Sequence, residues 1–226
     1  MSPRQLVLDL PFRAAMGRAD FFVSEANAGA VAGLDGWRDW PGGKMLLIGP
    51  AGAGKTHLAH VFAAQGGARI VAASNLSDTD PSPLAETPAL VVEDADRIAG
   101  NPVQEEALFH LHNAAADRGC ALLITACAPP GHWGLRLPDL LSRMLQAAQV
   151  SVRAPDDALM AAVLVKLAAD RQMTLTPALV AYVLPRIARS LADVQRFVND
   201  LDAEALADKQ KPGLRHVKQV LARLGG

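Results

Sequence analysis

At 226 residues, half of them hydrophobic, the chain is long enough for one medium domain and a smaller one, each with its own core. Twenty-two basic residues against 23 acidic ones give a net charge of −1 and an isoelectric point near 6.6. That balance argues against a chain whose main work is neutralising nucleic-acid phosphates. No apolar run approaches the roughly 18 residues that span a bilayer, and Met1-Ser2-Pro3-Arg4-Gln5 lacks the long apolar stretch of a secretory signal. A cytoplasmic protein with no membrane partner is expected. The six Phe, three Trp and one Tyr do not alternate with Lys or Arg, so no stacking platform for single strands and no strong direct DNA binding is expected. Trp37, Trp40 and Trp133 read as packing anchors.

The first strong signal along the chain is Gly49-Pro50-Ala51-Gly52-Ala53-Gly54-Lys55-Thr56, directly behind the apolar run Met45–Ile48. A strand followed by G-x-x-x-x-G-K-[ST] is the arrangement of a phosphate-binding loop. The glycines let backbone N–H groups turn inward around phosphates, Lys55 neutralises the β and γ oxygens, and the Thr56 hydroxyl is placed to ligate Mg²⁺. His57 to Ala64 continues as a helix whose N-terminal dipole adds to the anion site. His57 and His60, one turn apart, have no partner cluster in the sequence and read as helix-surface or packing residues.

Further apolar runs predict parallel strands near Arg69–Ala73, Ala89–Glu93, Ala121–Ala126 and Gln149–Arg153, an α/β core of five strands. The crossing from Ala73 to Ala89 is rich in turn formers and leaves room for little helix. Ala89-Leu90-Val91-Val92-Glu93-Asp94 is an apolar strand ending in two carboxylates, where a phosphate-loop protein places its second metal-side element. Glu93 is expected in the Mg²⁺ and water shell, and Asp94 is expected to orient or polarise an attacking water. Cys120 and Cys127 bracket one strand. Seven steps at about 3.3 Å put them beyond disulfide reach, so they read as reduced, mostly buried thiols. A short helix is expected over Leu137–Leu145, behind Pro138, and it carries Arg143, the candidate for meeting charge on a γ-phosphate in cis or in trans. After Ala154-Pro155-Asp156-Asp157 the periodicity is helical only: Asp156–Arg171, Thr176–Ile187, Ser190–Ala207 and Leu214–Leu224. This is a small all-helical domain.

An α/β phosphate-loop core, a helix carrying Ser-Arg before the last strand and a C-terminal helical lid together resemble the AAA+ ATPases. The stretches GPAGAGKTHLAH (Gly49–His60), EDADRIAG (Glu93–Gly100), LLITACAPP (Leu122–Pro130) and PDLLSRM (Pro138–Met144) resemble the ATPase domain of the bacterial initiator DnaA. RADFFVSEANA (Arg18–Ala28) is similar to the element that packs on adenine there, which implies Phe22, Val23 and Asn27 at the base, with Pro50, Ala51, Gly52, Ala53, Gly54, Lys55, Thr56 and His57 around the phosphates. Gln5-Leu6-Val7-Leu8-Asp9-Leu10-Pro11-Phe12 resembles the short peptides that dock on the bacterial sliding clamp; the alternative is an apolar tail laid against the core. The chain closes on Leu224-Gly225-Gly226, and no helix-turn-helix domain of the kind that follows the lid in DnaA is expected in it.

Clamp peptide, DnaA-like core and no DNA-binding domain together resemble the Hda (HdaA) family. The resemblance implies a clamp-binding peptide over residues 1–12, an AAA+ core of parallel αβα type over 13–154 and a lid over 155–226. It implies a regulator that, on the DNA-loaded sliding clamp (the β subunit of DNA polymerase III), stimulates ATP hydrolysis by DnaA and so represses re-initiation. Gln5, Leu6, Leu8 and Leu10 would touch the clamp, and Arg143 would act across the interface on DnaA. Departures from the pattern are Cys127 in place of a sensor aspartate, Ala192 in place of a lid arginine with Arg189 and Arg196 beside it, and Glu93-Asp94 itself. They lead us to expect a retained nucleotide, ADP or ATP, with slow or no turnover of its own. An edge-to-edge homodimer would mask Arg143 or Gln5. The competing readings are a DnaA-like or helicase-loading ATPase acting directly on DNA, and an autonomous phosphate-loop ATPase or small-molecule kinase.

Overall fold

The computed structural model describes residues 22–208 and 210–224. They form two compact units, Asn27–Ala154 and the chain from Pro155 onward together with residues 22–26. Gln5, Leu6, Leu8 and Leu10, expected from the sequence to touch a sliding clamp, lie outside the described residues. Among the described residues no helix is long and apolar enough to cross a membrane.

The larger unit runs α1 (Ala28–Asp35), β1 (Lys44–Ile48), α2 (Lys55–Gly66), β2 (Arg69–Ala72), α3 (Pro81–Leu84), β3 (Ala89–Glu93), α4 (Pro102–Arg118), β4 (Ala121–Ala126), α5 (Pro138–Leu145) and β5 (Ala148–Ser151). Its strands make one five-stranded sheet in the order β2-β3-β4-β1-β5, with every pair parallel. The three central strands, β1, β3 and β4, are buried almost end to end, as a sheet covered on both faces requires, whereas the edge strands β2 and β5 are partly exposed. Alternation splits the side chains between two layers. Leu46, Leu90, Leu122 and Ile124 join Leu108 and Leu111 of α4 and Leu140 and Met144 of α5 in one buried cluster. On α2, Phe62 stacks on Trp40 at 5.4 Å and meets Trp37 edge-on at 6.0 Å.

The five strands stand where the apolar runs predict them, with β5 one residue earlier at Ala148–Ser151. The lean crossing is a 3₁₀ turn over Ala73–Asp78 and the one-turn α3. The largest element without a sequence expectation is α4, started by Asn101, whose side chain accepts from Gln104 N–H, and by Pro102 in the first turn. One cysteine reading needs correction: Cys120 is buried, and burial pushes its thiol up, but Cys127 is exposed. It lies one residue past the end of β4, where the chain leaves the sheet.

The smaller unit is helical: α6 (Asp157–Asp170), α7 (Pro177–Val183), α8 (Leu191–Ala207) and α9 (Leu214–Leu224). Asp156, Thr176 and Ser190 cap α6, α7 and α8 with side-chain oxygens, and Leu164, Phe197, Val198, Leu201, Val217 and Val220 are fully buried between the helices. The helix expected to reach Ile187 leaves α geometry at Val183 and continues as a 3₁₀ turn over Leu184–Arg186, because Pro185 has no N–H for the ladder.

Gly49 follows the last residue of β1 and lies beside Val152, which follows the last residue of the parallel strand β5. A Cβ there would stand 2.4 Å from the Val152 carbonyl oxygen, which is backbone and has no rotamer to yield, and Val152 N–H is tied to Ile48 O at 2.7 Å. Gly49→Ala is therefore expected to lower stability by about 1–3 kcal/mol, read from thermal and urea unfolding. Gly131→Ala, where a Cβ meets open space, is expected to stay within about 0.5 kcal/mol of the parent.

Candidate functional site

Parallel pairing puts the C-terminal ends of β1, β3 and β4 on one edge of the sheet, and the loop after β1 lies where the connections diverge to either side, the usual crevice of an open α/β sheet. Gly52 and Gly54 of this loop sit at φ 73° and 97°, a left-handed turn that suits glycine. α2 then begins at Lys55 with no side-chain cap and no acidic residue in its first turn, so no built-in carboxylate competes for the positive end of its dipole. Lys55 is buried, and its ammonium donates to Gly49 O at 2.7 Å and Pro50 O at 3.1 Å and lies 3.7 Å from Cys127 Sγ. Thr56 and His57 are exposed at the helix start. The loop has the form of an anion cradle with its cation already at the mouth.

Next to it on the same edge, Glu93 ends β3 with Oε1 buried and unpartnered. A carboxylate oxygen of this kind, together with a hydroxyl and with further oxygens supplied by phosphates, is the type of donor set that Mg²⁺ takes. Glu93 and Thr56 are the residues that would hold it. Among the described residues no group of three or more His, Cys, Asp or Glu could hold a metal by itself. Asp94 adopts φ 56°, a left-handed conformation unusual outside glycine; its N–H donates to Thr125 Oγ1 at 3.0 Å and its carboxylate meets Arg97 at 3.4 Å. Thr125 is thus buried and engaged with the backbone after β3. Asp96, absent from the sequence reading, accepts from Cys127 N–H at 3.0 Å and ties the turn after β3 to the end of β4. Nothing local in the sequence marks that pairing, since the two residues are 31 apart.

Arg143 lies elsewhere. α5 returns from the C-terminal edge of β4 to the start of β5, so Arg143, near its end, stands at the N-terminal edge of the sheet. There its charge acts on Lys44, the first residue of β1, and on His112 of α4. β1 is five residues long, which separates the two edges by about 16 Å. Arg143 is exposed, and among the described residues no carboxylate pairs with it. Lys44 and His112 are buried, and Lys44 Nζ lies 2.9 Å from His112 Nε2. His112 Nδ1 meets Asn113 Oδ1 at 3.3 Å, so the tautomer that satisfies both contacts carries its proton on Nδ1 and accepts from Lys44 at Nε2.

The remaining predicted residues are distributed between the units. Asn27 is buried and belongs to the larger one, and Phe22 and Val23, half-buried, belong to the smaller one. In the lid, Arg189 pairs with Asp157 at 2.8 Å and Arg196 with Asp193 at 3.1 Å, so both flanking arginines are committed to exposed ion pairs of their own unit.

Comparison with known proteins gives three kinds of match. Residues 156–221 match the family described as "Hda, lid domain". The chromosomal replication initiator protein DnaA of Clavibacter sepedonicus is 24% identical over 199 residues, covering 80% of this chain and 42% of that protein, so the chain spans less than half the length of the curated relative. Domain III of the Thermotoga maritima initiation protein DnaA superposes with a TM-score of 0.77 at 17% identity, over 90% of this chain and 94% of that one. DnaA from Aquifex aeolicus, solved bound to AMPPCP, superposes with a TM-score of 0.69 at 14% identity, over 83% and 65% respectively.

The Lys44–His112 pair gives this unit a pH dependence with a definite sign. Burial lowers His112 below the ordinary histidine value of 6.5; its Asn113 contact opposes this, and the Lys44 and Arg143 charges add to it. The unfolded chain then binds more protons than the folded one just below pH 6.5, and stability rises with pH through that window. The contribution of neutral His112 is complete above about pH 6.5 and is lost as the pH falls below it. Urea unfolding between pH 5 and 7.5 is expected to show this slope, and His112→Gln, which leaves Lys44 an acceptor but does not titrate, is expected to flatten it.

Proposed function

We propose that this chain, similar to DnaA in sequence and fold and to Hda in its lid, is a nucleotide-binding adaptor which, on the DNA-loaded sliding clamp, presents Arg143 to ATP-bound DnaA and stimulates hydrolysis of that ATP, ending initiator activity after one round of replication. The observation that carries this reading is the separation of Arg143 from its own phosphate loop. An exposed arginine without a carboxylate partner, about 16 Å from the edge where its own chain cradles phosphate, is suited to a γ-phosphate held by a neighbour. A cation brought in trans to that oxygen can raise hydrolysis by about 10³ or more.

In this reading the chain's own cradle holds ADP or ATP as a structural and regulatory ligand. Lys55 and the amides after Gly52 take the phosphates, His57 follows in the first turn of the helix, Phe22, Val23 and Asn27 serve the base, and Thr56 and Glu93 take Mg²⁺, which supplies charge neutralisation when bound. The AMPPCP-bound Aquifex DnaA, similar in fold, supports a nucleotide here. Asp94, engaged by Arg97, and Arg189 and Arg196, engaged within the lid, leave few groups to sense or activate a γ-phosphate, which supports slow turnover by the chain alone. Gln5, Leu6, Leu8 and Leu10 supply the clamp contact, and the protein works in the cytosol.

Two measurements test this. DnaA carrying labelled ATP, mixed with DNA-loaded clamp, ADP and the wild-type chain, is expected to form ADP faster than without it; Arg143→Ala is expected to lose stimulation by about a hundredfold or more, and Gln5→Ala to lose it at matched concentration. No stimulation by the wild type overturns the reading and favours a DNA-acting ATPase. Lys55→Ala removes a charge-assisted bond to phosphate and is expected to weaken ADP binding by about tenfold to a hundredfold in equilibrium dialysis.

A further inference from the structure

Glu105, in the first turn of α4, has no side-chain exposure, and no cation pairs with it among the described residues. Its partners are backbone amides. Oε1 accepts from Gly100 N–H at 2.7 Å, and Oε2 accepts from Arg136 N–H at 2.9 Å and Leu137 N–H at 2.8 Å. Gly100 belongs to the turn between β3 and α4, whereas Arg136 and Leu137 lead into α5 more than thirty residues further on. A single carboxylate therefore stands at the N-termini of two helices, its own and α5, where both dipoles favour negative charge.

The helix so gripped is the one that carries Arg143. Leu137 occupies its N-cap position and, being apolar, offers no side-chain cap. An eight-residue helix is too short to hold itself by propensity, so its start depends on tertiary partners and on a cap from elsewhere. Glu105 supplies that cap from α4. The deeper end of the same helix is anchored by Leu140 and Met144, both fully buried, which leaves the guanidinium on the exposed side.

We propose that Glu105 is the positioning residue for Arg143: by capping α5 from the adjacent helix it fixes the register in which the arginine is offered to a partner. The proposal rests on the adaptor reading for its effect on DnaA, but its structural half stands apart from that reading. Without Glu105 the amides of Arg136 and Leu137 lose their acceptor, the first turn of α5 loosens, and Arg143 samples positions away from the one required. A displacement of about 1 Å at a reacting centre costs on the order of a hundredfold in rate.

The test uses the full chain with Glu105→Gln, which keeps one acceptor oxygen, and Glu105→Ala, which keeps none. Hydrogen exchange is expected to quicken at residues 136–145 in the order parent, Gln variant, Ala variant, while α2 and the lid helices keep their protection and ADP affinity stays within about twofold. In the DnaA assay maximal stimulation is expected to fall about tenfold to a hundredfold, with the adaptor concentration for half-maximal effect unchanged. Glu105→Ala added to Arg143→Ala is expected to cost nothing further, since both act through one guanidinium. Unchanged exchange over α5 overturns the proposal. So does a parallel loss of protection and ADP binding throughout the chain, or a full additional loss in the double variant. If the wild type fails to stimulate, or Arg143→Ala is silent, the adaptor reading falls, and the exchange comparison still decides whether Glu105 holds α5.

Discussion

Because all five strands run the same way, every connection in this sheet has to travel back across its full depth before the next strand can start. The loops that follow β1, β3 and β4 are gathered on one edge by that rule, and whatever lies late in a returning helix is delivered to the other. Lys55 and Glu93 are of the first kind and Arg143 of the second. In the proposed reading the chain holds a phosphate at one edge and offers an arginine at the other, and a sheet of this topology does not bring the two together by itself. The strand direction that keeps Lys55 and Arg143 apart is what favours a second protein as the place where phosphate and arginine would meet.

At the edge that gathers the strand ends, buried polar groups are satisfied mainly by backbone. Thr125 takes the Asp94 amide, Asp96 takes the Cys127 amide, Glu105 takes three amides, and Lys55 rests on two carbonyls. An unsatisfied group in such surroundings costs about 1–3 kcal/mol, so each of these bonds restrains the loop that it touches. Glu93 Oε1 and Asp96 Oδ1 are the exceptions, each buried and unpaired just at or beyond the end of a strand that is otherwise all apolar. Unmet costs of that size in a neighbourhood tied mainly to backbone are where a cation or an ordered water has most to gain by binding.

The parts of this protein that could be read from sequence are those with short-range causes. The phosphate loop is eight consecutive residues behind an apolar strand, and the lid helices announce themselves through Asp156, Thr176 and Ser190 at their caps. Arg143 stood out because of the helix and strand around it, but its edge of the sheet follows only from strand order, which no local pattern encodes. Glu105 and Asp96 were invisible because their partners are about thirty residues away and are backbone amides, which have no residue identity to notice. Lys44 and His112, 68 residues apart, meet for the same reason. Cys127 is exposed although the strand it follows is buried, because the chain emerges one residue past the strand end, and no local pattern marks that point.

The arginines among the described residues differ in what stands beside them. Arg97, Arg189, Arg196, Arg215 and Arg223 each have a carboxylate of their own unit beside them, and such exposed pairs contribute about 0–1 kcal/mol apiece. Arg143 has instead the Lys44 ammonium and the neutral His112 imidazole as its neighbours. A like charge behind an arginine does not hold it down; it raises the potential in front of it and leaves the guanidinium with no internal competitor for an incoming anion. An arginine paired with a carboxylate would first have to break that pair, and the cost would be subtracted from whatever it gives a partner's phosphate. Backed by Lys44 and carried on a helix capped from outside, Arg143 has no such debt, and its position rather than its charge becomes the quantity that the fold has to control.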